Sequence, residues 1–229
     1  MKKYRMAVCI AALLVVLGIV FFPLPASADG QTQYRYANSV SKNINDQWQV
    51  YLYQEQNFDG DSGHDIIGQY NEPGLVYSGF SKSFDLILAY GRGYGKSDGG
   101  WVGDNTFFLA GMYKWSLLNV DMSNKMRIEY NDRQGNLDDR WRYRNTFVVT
   151  LPLKVTRFEV QPFISDEPLY DFDAQYLTYN ELRAGVNFKM TKHWSGSLYY
   201  MRAMSHSNLP DDSHWKTTPM VALSTGFSF

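Results

Sequence analysis

The sequence predicts an all-β protein, an antiparallel up-and-down transmembrane β-barrel of about ten strands. Apolar and polar residues alternate with a period of two through most of the chain, which is the pattern of half-buried strands. Short connections alternate with long polar ones, as in membrane barrels with tight turns at one end and loops at the other. After residue 28 no apolar run is long enough for a membrane-spanning helix, so any crossing of a membrane must use strands.

Residues 1–28 have the pattern of a cleaved signal peptide. Three basic residues among the first five precede an apolar run over 7–22, and Ala26-Ser27-Ala28 then provides the small residues that signal peptidase requires. The apolar run is shorter than the roughly 20 residues of a transmembrane helix. Cleavage would make Asp29 the first mature residue and would remove Cys9, the one cysteine, so disulfides and thiolate metal ligands are excluded.

The composition of the remaining chain narrows the class of protein. Without the first 28 residues, 19 lysines and arginines face 23 aspartates and glutamates, which is not the basic balance of a nucleic-acid-binding protein. Aromatic residues make up 16% of the sequence, although no long apolar run accompanies them. Export and a high aromatic content leave two classes, a periplasmic β-sandwich and an outer-membrane barrel.

Five segments carry clear alternation, and five more show it in a weaker form. In 181–190, for example, every even position is apolar and every odd position is polar or glycine. The clear strands are predicted over 125–131, 141–151, 157–164, 181–190 and 220–229, and the weaker ones over 47–56, 74–81, 84–94, 106–115 and 194–202. The barrel domain is therefore predicted over 47–229, with long polar loops at 92–104 and 166–175.

The segment 29–46 leaves an alternative open. Tyr34-Arg35-Tyr36 and Ser39–Ile44 have strand character. One added strand would give an odd number, however, whereas an even number places both termini at the periplasmic end of an antiparallel barrel. We interpret the segment as a periplasmic lead-in, or else as an extra strand that belongs to a barrel of twelve.

Three features favour a membrane barrel over a soluble sandwich. The last strand has apolar residues at alternate positions, Val221, Leu223, Phe227 and Phe229, which we expect to act as a signal for the barrel assembly machinery. Tryptophan and tyrosine fall near predicted strand ends, where aromatic girdles lie. The apolar faces carry almost no charge, as contact with lipid requires. We expect a monomer in the cell outer membrane, in contact with lipid and lipopolysaccharide and without a nucleic-acid partner.

The polar faces of four successive predicted strands carry a cluster of ionic residues. Its members are Arg127, Glu129, Arg142, Arg144, Arg157, Glu159, Glu181 and Arg183. Pairing Tyr130 with Trp141 on the outer face places Glu129 beside Arg142 on the inner face. Five arginines against three glutamates favour a narrow passive channel for small polar or anionic solutes. A non-conducting structural barrel with a salt-bridged lumen is the alternative, because side chains fill the interior of barrels of about eight strands.

A lipid-modifying enzyme of the outer membrane is a less favoured alternative. His193-Trp194-Ser195 has the His-x-Ser spacing of such enzymes but falls at a predicted periplasmic turn, while His206 and Ser207 are adjacent. A serine nucleophile also needs a group that orients its histidine, and neither pair has an evident one. The acidic loop over 59–65 lacks the further spacing of an EF-hand. We therefore expect no catalytic residues, no metal site and no cofactor.

Three consecutive segments of the C-terminal half carry a family resemblance. They are Arg140–Leu153 (RWRYRNTFVVTLPL), Gln161–Tyr170 (QPFISDEPLY) and Asn180–Trp194 (NELRAGVNFKMTKHW). This order of an Arg-rich strand, a Pro-aromatic-x-Ser-Asp-Glu segment and an Asn-x-x-Arg strand resembles an uncharacterised family of small Gram-negative outer-membrane barrels. The resemblance implies a fold and a location, and it implies no activity. In strand count and polar lumen the chain is also loosely similar to the monomeric acidic-oligosaccharide porins.

Overall fold

The computed structural model describes residues 32–97, 99–134, 138–153, 156, 158–206 and 215–229. The predicted signal segment lies outside the described residues. Within them the chain forms eleven β-strands: β1 (Gln33–Asn43), β2 (Trp48–Phe58), β3 (Ile66–Ser81), β4 (Phe84–Ser97), β5 (Gly100–Leu117), β6 (Val120–Arg133), β7 (Arg140–Thr150), β8 (Gln161–Asp171), β9 (Tyr176–Lys189), β10 (Trp194–His206) and β11 (Trp215–Ser228). None of the described residues belongs to a helix that is long and apolar enough to cross a membrane.

The strands form one closed barrel in which neighbours in sequence are neighbours in the sheet. Consecutive strands are antiparallel, and β1 closes the barrel by pairing in parallel with β11, from Gln33 opposite Met220 to Ser41 opposite Ser228. The prediction of an all-β barrel is confirmed. The described residues form eleven strands, close to the predicted number of about ten, and the parallel β1–β11 pair corrects the wholly antiparallel topology to a mixed one.

The additional strand is β1, which comes from the segment that the sequence left open. Tyr34 and Val40 are exposed on its outer face, while Ala37 is buried on its inner face. With an odd number of up-and-down strands the first and last run in the same direction, so the closing pair must be parallel. The expectation that both termini lie at one end is therefore wrong, because Gln33 and Ser228 lie at opposite ends of the parallel pair.

The two ends of the barrel have different connections. We call upper the end where β1 begins and where β2–β3, β4–β5, β6–β7, β8–β9 and β10–β11 connect, and lower the opposite end, where β11 finishes. The β5–β6 turn at the lower end consists of Leu118 and Asn119, with φ of 53° and 66°. Positive φ at both central residues is the mark of a type I′ hairpin, whose twist matches that of the flanking strands.

Two predicted loops are strands in the structure. The β4–β5 hairpin stays paired up to Ser97 opposite Gly100, and β8 begins at Gln161 and continues to Asp171. The first stretch is rich in glycine and the second in acidic residues, so both resemble loops in composition. In β8 the acidic pair alternates, so that Asp166 is exposed on the outer wall and Glu167 is buried on the inner wall.

The outer and inner walls differ in chemistry. Large apolar side chains are exposed on the outer wall, among them Leu88, Phe107 and Leu198, each at least half exposed. The buried charged side chains lie instead on the inner wall, where they face the lumen. An apolar belt of this extent in contact with water would be unusual for a monomeric soluble protein.

Candidate functional site in the upper lumen

Period-two alternation places charged residues of β6 and β7 on the inner wall at the same height. Glu129 lies opposite Arg142, and Arg127 lies opposite Arg144. On the outer wall Tyr130 lies opposite Trp141, with ring centroids 5.2 Å apart. This is the strand register that the sequence predicted for the hairpin.

Glu129 is fully buried and lies among three guanidinium groups. Its Oε1 atom is 2.5 Å from Nη2 of Arg127 and 2.9 Å from Nε of Arg144. Its Oε2 atom is 2.8 Å from Nη2 of Arg142. Arg127 and Arg144 are direct cross-strand neighbours, and like charges in that position destabilise a sheet. The carboxylate of Glu129 contacts both of them and offsets this repulsion.

Two further carboxylates extend the network around the lumen. Glu167 is 2.8 Å from Nη1 of Arg144 and 3.3 Å from Nη2 of Arg183, and it accepts a hydrogen bond from the hydroxyl of Thr146. Glu181 pairs with Arg183 and, at 3.2 Å, with Arg35, and it accepts a hydrogen bond from the hydroxyl of Tyr179. A continuous chain of ion pairs results: Glu129–Arg144–Glu167–Arg183–Glu181–Arg35–Glu55. This chain links six strands of the barrel.

Of the eight ionic residues predicted to cluster, the structure brings six together, namely Arg127, Glu129, Arg142, Arg144, Glu181 and Arg183. Glu159 lies in the turn before β8, with φ of 47°, at the lower end and away from these six. Arg157 lies outside the described residues. The predicted strand 157–164 placed these two on the inner wall, whereas β8 starts only at Gln161.

The sequence interpretation missed four members of the network. Arg35 lies in β1, which was interpreted as a lead-in, and it pairs with Glu55 at 3.1 Å. Glu72 accepts hydrogen bonds from the hydroxyls of two tyrosines of β2 and β3 and lies 3.7 Å from Arg127. Glu167 was interpreted as part of a loop. Continuing the period of two from Gln161 through Pro168 would have placed it on the inner wall.

The network borders a cavity of about 770 Å³ in the upper lumen. A second cavity, of about 300 Å³, lies in the lower lumen against serines of β1, β10 and β11. Tyr199 of β10 points into the lumen between the two cavities. Arg183 of β9, one inward-facing position above Tyr199, borders the upper cavity, and Ser197, one inward-facing position below it, borders the lower cavity. Its ring packs edge-on against that of Phe163, with centroids 6.0 Å apart.

The β4–β5 side of the lumen is filled by apolar side chains at the level of Arg127 and Glu129. Ile87, Ala89, Phe108 and Ala110 form a buried cluster on β4 and β5. The guanidinium of Arg127 lies 4.4 Å from the ring centroid of Phe108, so this cluster directly adjoins the ionic network. The ionic network is thus bordered by apolar side chains on β4 and β5, whereas serines line the lower cavity.

The structure also locates the weaker candidates and the end of the chain. Nδ1 of His193 is 2.7 Å from the carbonyl oxygen of Ser228, while Ser195 borders the lower cavity; Ser207 lies outside the described residues. Among the described residues no three His, Cys, Asp or Glu side chains form a group that could hold a metal ion. The residues predicted to guide assembly, Val221, Leu223, Phe227 and Phe229, are all exposed.

A family model described as a protein of unknown function, DUF2490, matches residues 32–214. The chain belongs to this family. The match includes all but the last of the eleven strands, and it covers the three C-terminal segments whose pattern suggested a small barrel family. No curated protein and no solved structure matches the chain. The DUF2490 family is described as one of unknown function, so the function of this chain is inferred from its lumen.

Proposed function

We propose that this DUF2490 protein is an outer-membrane barrel whose lumen is a narrow passive channel for small polar or anionic solutes. A closed sheet satisfies its backbone hydrogen bonds internally, which is the condition for strands to cross hydrocarbon. The apolar outer wall supports contact with lipid, and the charged inner wall supports contact with water. Lipopolysaccharide and the barrel assembly machinery are the partners expected at that location.

The observation that carries the channel is the presence of one cavity in the upper lumen and another in the lower lumen. Between them Tyr199 has small neighbours on both adjacent strands, Gly185 on β9 and Ala222 on β11. Gly185 lies so close to Tyr199 that an added Cβ would come within 2.4 Å of the tyrosine Cβ. Tyr199 packs against Met201, Met220 and Phe163 at this level, so a path for a small solute requires the displacement of Tyr199 within this group.

A non-conducting structural barrel is the second candidate, and the ionic network favours it. Each of the six clustered residues already has an ion-pair partner, and Glu129 is inaccessible to solvent. Arginines neutralised in this way attract a passing anion less than free ones. On this reading the upper lumen is a plug that fixes the shape of the barrel.

Two experiments test the proposal in sequence. Cell fractionation should recover the protein in the outer membrane with Asp29 as its first residue. On a denaturing gel the unheated protein should migrate differently from the heated protein. Recovery in the soluble periplasm would contradict the location. Purified protein in planar bilayers should then give discrete conductance steps; their absence in a correctly folded sample would favour the structural barrel.

A further inference from the structure

We infer that the upper lumen contains an oxyanion site built on Lys125, a residue of β6 that the ionic network leaves out. The site would take a phosphate, sulfate or carboxylate group of a small soluble molecule. This inference rests on the proposed function in one respect, since the anion must enter the lumen from water. It also assigns the anion preference to a different residue from the arginines that the sequence suggested.

The first argument is the balance of charges around the upper cavity. Seven cationic side chains border it: Arg35, Lys125, Arg127, Arg140, Arg142, Arg144 and Arg183. Each of the six arginines pairs with a carboxylate. Lys125 has neither an ion-pair nor a hydrogen-bond partner among the described residues, although it is one of the seven. A cation removed from bulk water without a partner is costly, and a bound anion relieves that cost.

The second argument is the local arrangement of β6 and β7. Lys125 is two positions from Arg127 on the same strand and face, and Arg144 lies opposite Arg127 on the next strand. Three cations therefore occupy adjacent inner-wall positions. The residue opposite Lys125 is Thr146, which carries no charge and donates its hydroxyl hydrogen to Glu167.

The third argument is that the carboxylates nearest to this corner are already engaged. Glu167 interacts with Arg144, Arg183 and Thr146. Glu72 accepts two tyrosine hydroxyls and lies 3.7 Å from Arg127. Among the described residues neither forms an ion pair with Lys125, so a bound anion would supply a negative charge that this lysine lacks. Hydrogen bonds to an ionised partner are also stronger than neutral ones, which favours an oxyanion over a neutral solute.

The position of Lys125 gives this site a role in the passage of solutes. It lies one inward step below Arg127, at the lower edge of the ionic network, and it faces the cavity. A solute that moves from the upper end has to pass the neutralised arginines before it meets this cation. Lys125 is therefore the residue that we expect to set the anion preference of the lumen.

The test measures binding and conduction separately in the full-length protein refolded in detergent. Inorganic phosphate, exchanged for chloride at constant ionic strength, should raise the thermal unfolding midpoint of the wild type, because a ligand that binds only the folded state stabilises it. Lys125→Gln should lose this shift, and Lys125→Arg should retain it. Lys82→Gln is the matched control, since Lys82 is exposed in the β3–β4 turn and its loss should leave the shift unchanged.

The outcomes distinguish the site from the channel. An equal phosphate shift in Lys125→Gln and the wild type, or no shift in the wild type, would overturn the oxyanion site. A wild type that conducts in planar bilayers without a phosphate shift would leave the channel standing and remove only the site. A phosphate shift without conductance would support the site and overturn the channel. Where both hold, Lys125→Gln should move the reversal potential in a salt gradient towards cation preference.

Discussion

The upper and lower halves of the lumen are built on the same eleven strands but are filled in different ways. The upper half contains buried charges joined in a network of ion pairs, in which Glu129 contacts three arginines. The lower half has a cavity lined by serines of β1, β10 and β11. A connected ionic network fixes the positions of its members, whereas a wall of small residues leaves space. We therefore expect the upper half to contribute more to stability and the lower half to leave more room for a solute.

The largest effect on stability is expected in the upper half. Glu129→Ala should leave three buried arginines without their shared carboxylate, and removing one partner of a buried pair typically costs about 3–5 kcal/mol. Urea unfolding of the refolded protein measures this loss. Asp46→Ala is the control, because Asp46 is exposed in the β1–β2 turn and should change the free energy of unfolding little. Equal losses in the two variants would contradict a stabilising role of the network.

A smaller effect should appear as coupling between Glu129 and Arg142. Within the described residues Glu129 is the ion-pair partner of Arg142, so removing both residues avoids one uncompensated charge. The double variant Glu129→Ala/Arg142→Ala should therefore recover part of the loss, with a coupling energy of about 0.5–3 kcal/mol. Recovery should be incomplete because Arg127 and Arg144 remain without the carboxylate. Strictly additive losses would mean that the two side chains do not interact as the register indicates.

The smallest effect is expected for an ion pair in the lower half. Nζ of Lys114 lies 2.7 Å from Asp85, but the lysine side chain is 44% exposed, so water screens the interaction. Lys114→Ala should cost about 0.2–1 kcal/mol, the range of exposed ion pairs. Thermal unfolding in the same detergent gives the comparison. A loss as large as that of Glu129→Ala would mean that the two halves do not differ in the way proposed.

The sequence predictions succeeded where the alternation of apolar and polar residues decides the structure, and they failed where it does not. A period of two assigns residues to the inner or outer wall, and the β6–β7 register therefore followed from pairing Tyr130 with Trp141. The same rule did not predict the upper part of β8, because Pro168 and two adjacent acidic residues are typical of a loop. Alternation also carries no information on how a barrel closes. The contact of Arg35 with Glu181 joins β1 to β9 across the closing pair, so it depends on the unexpected parallel β1–β11 pairing.

We expect Tyr199 to narrow the lumen between the two cavities, and the conductance of Tyr199→Ala in planar bilayers tests this expectation. Tyr200→Ala is the matched control, since Tyr200 is the next residue of β10 and its side chain points outward, away from the lumen. We expect Tyr199→Ala to conduct more than the wild type, because the substitution removes the ring that lies between the two cavities. Tyr200→Ala should conduct like the wild type. No conductance in any of the three proteins, or equal conductance in all of them, would contradict this expectation.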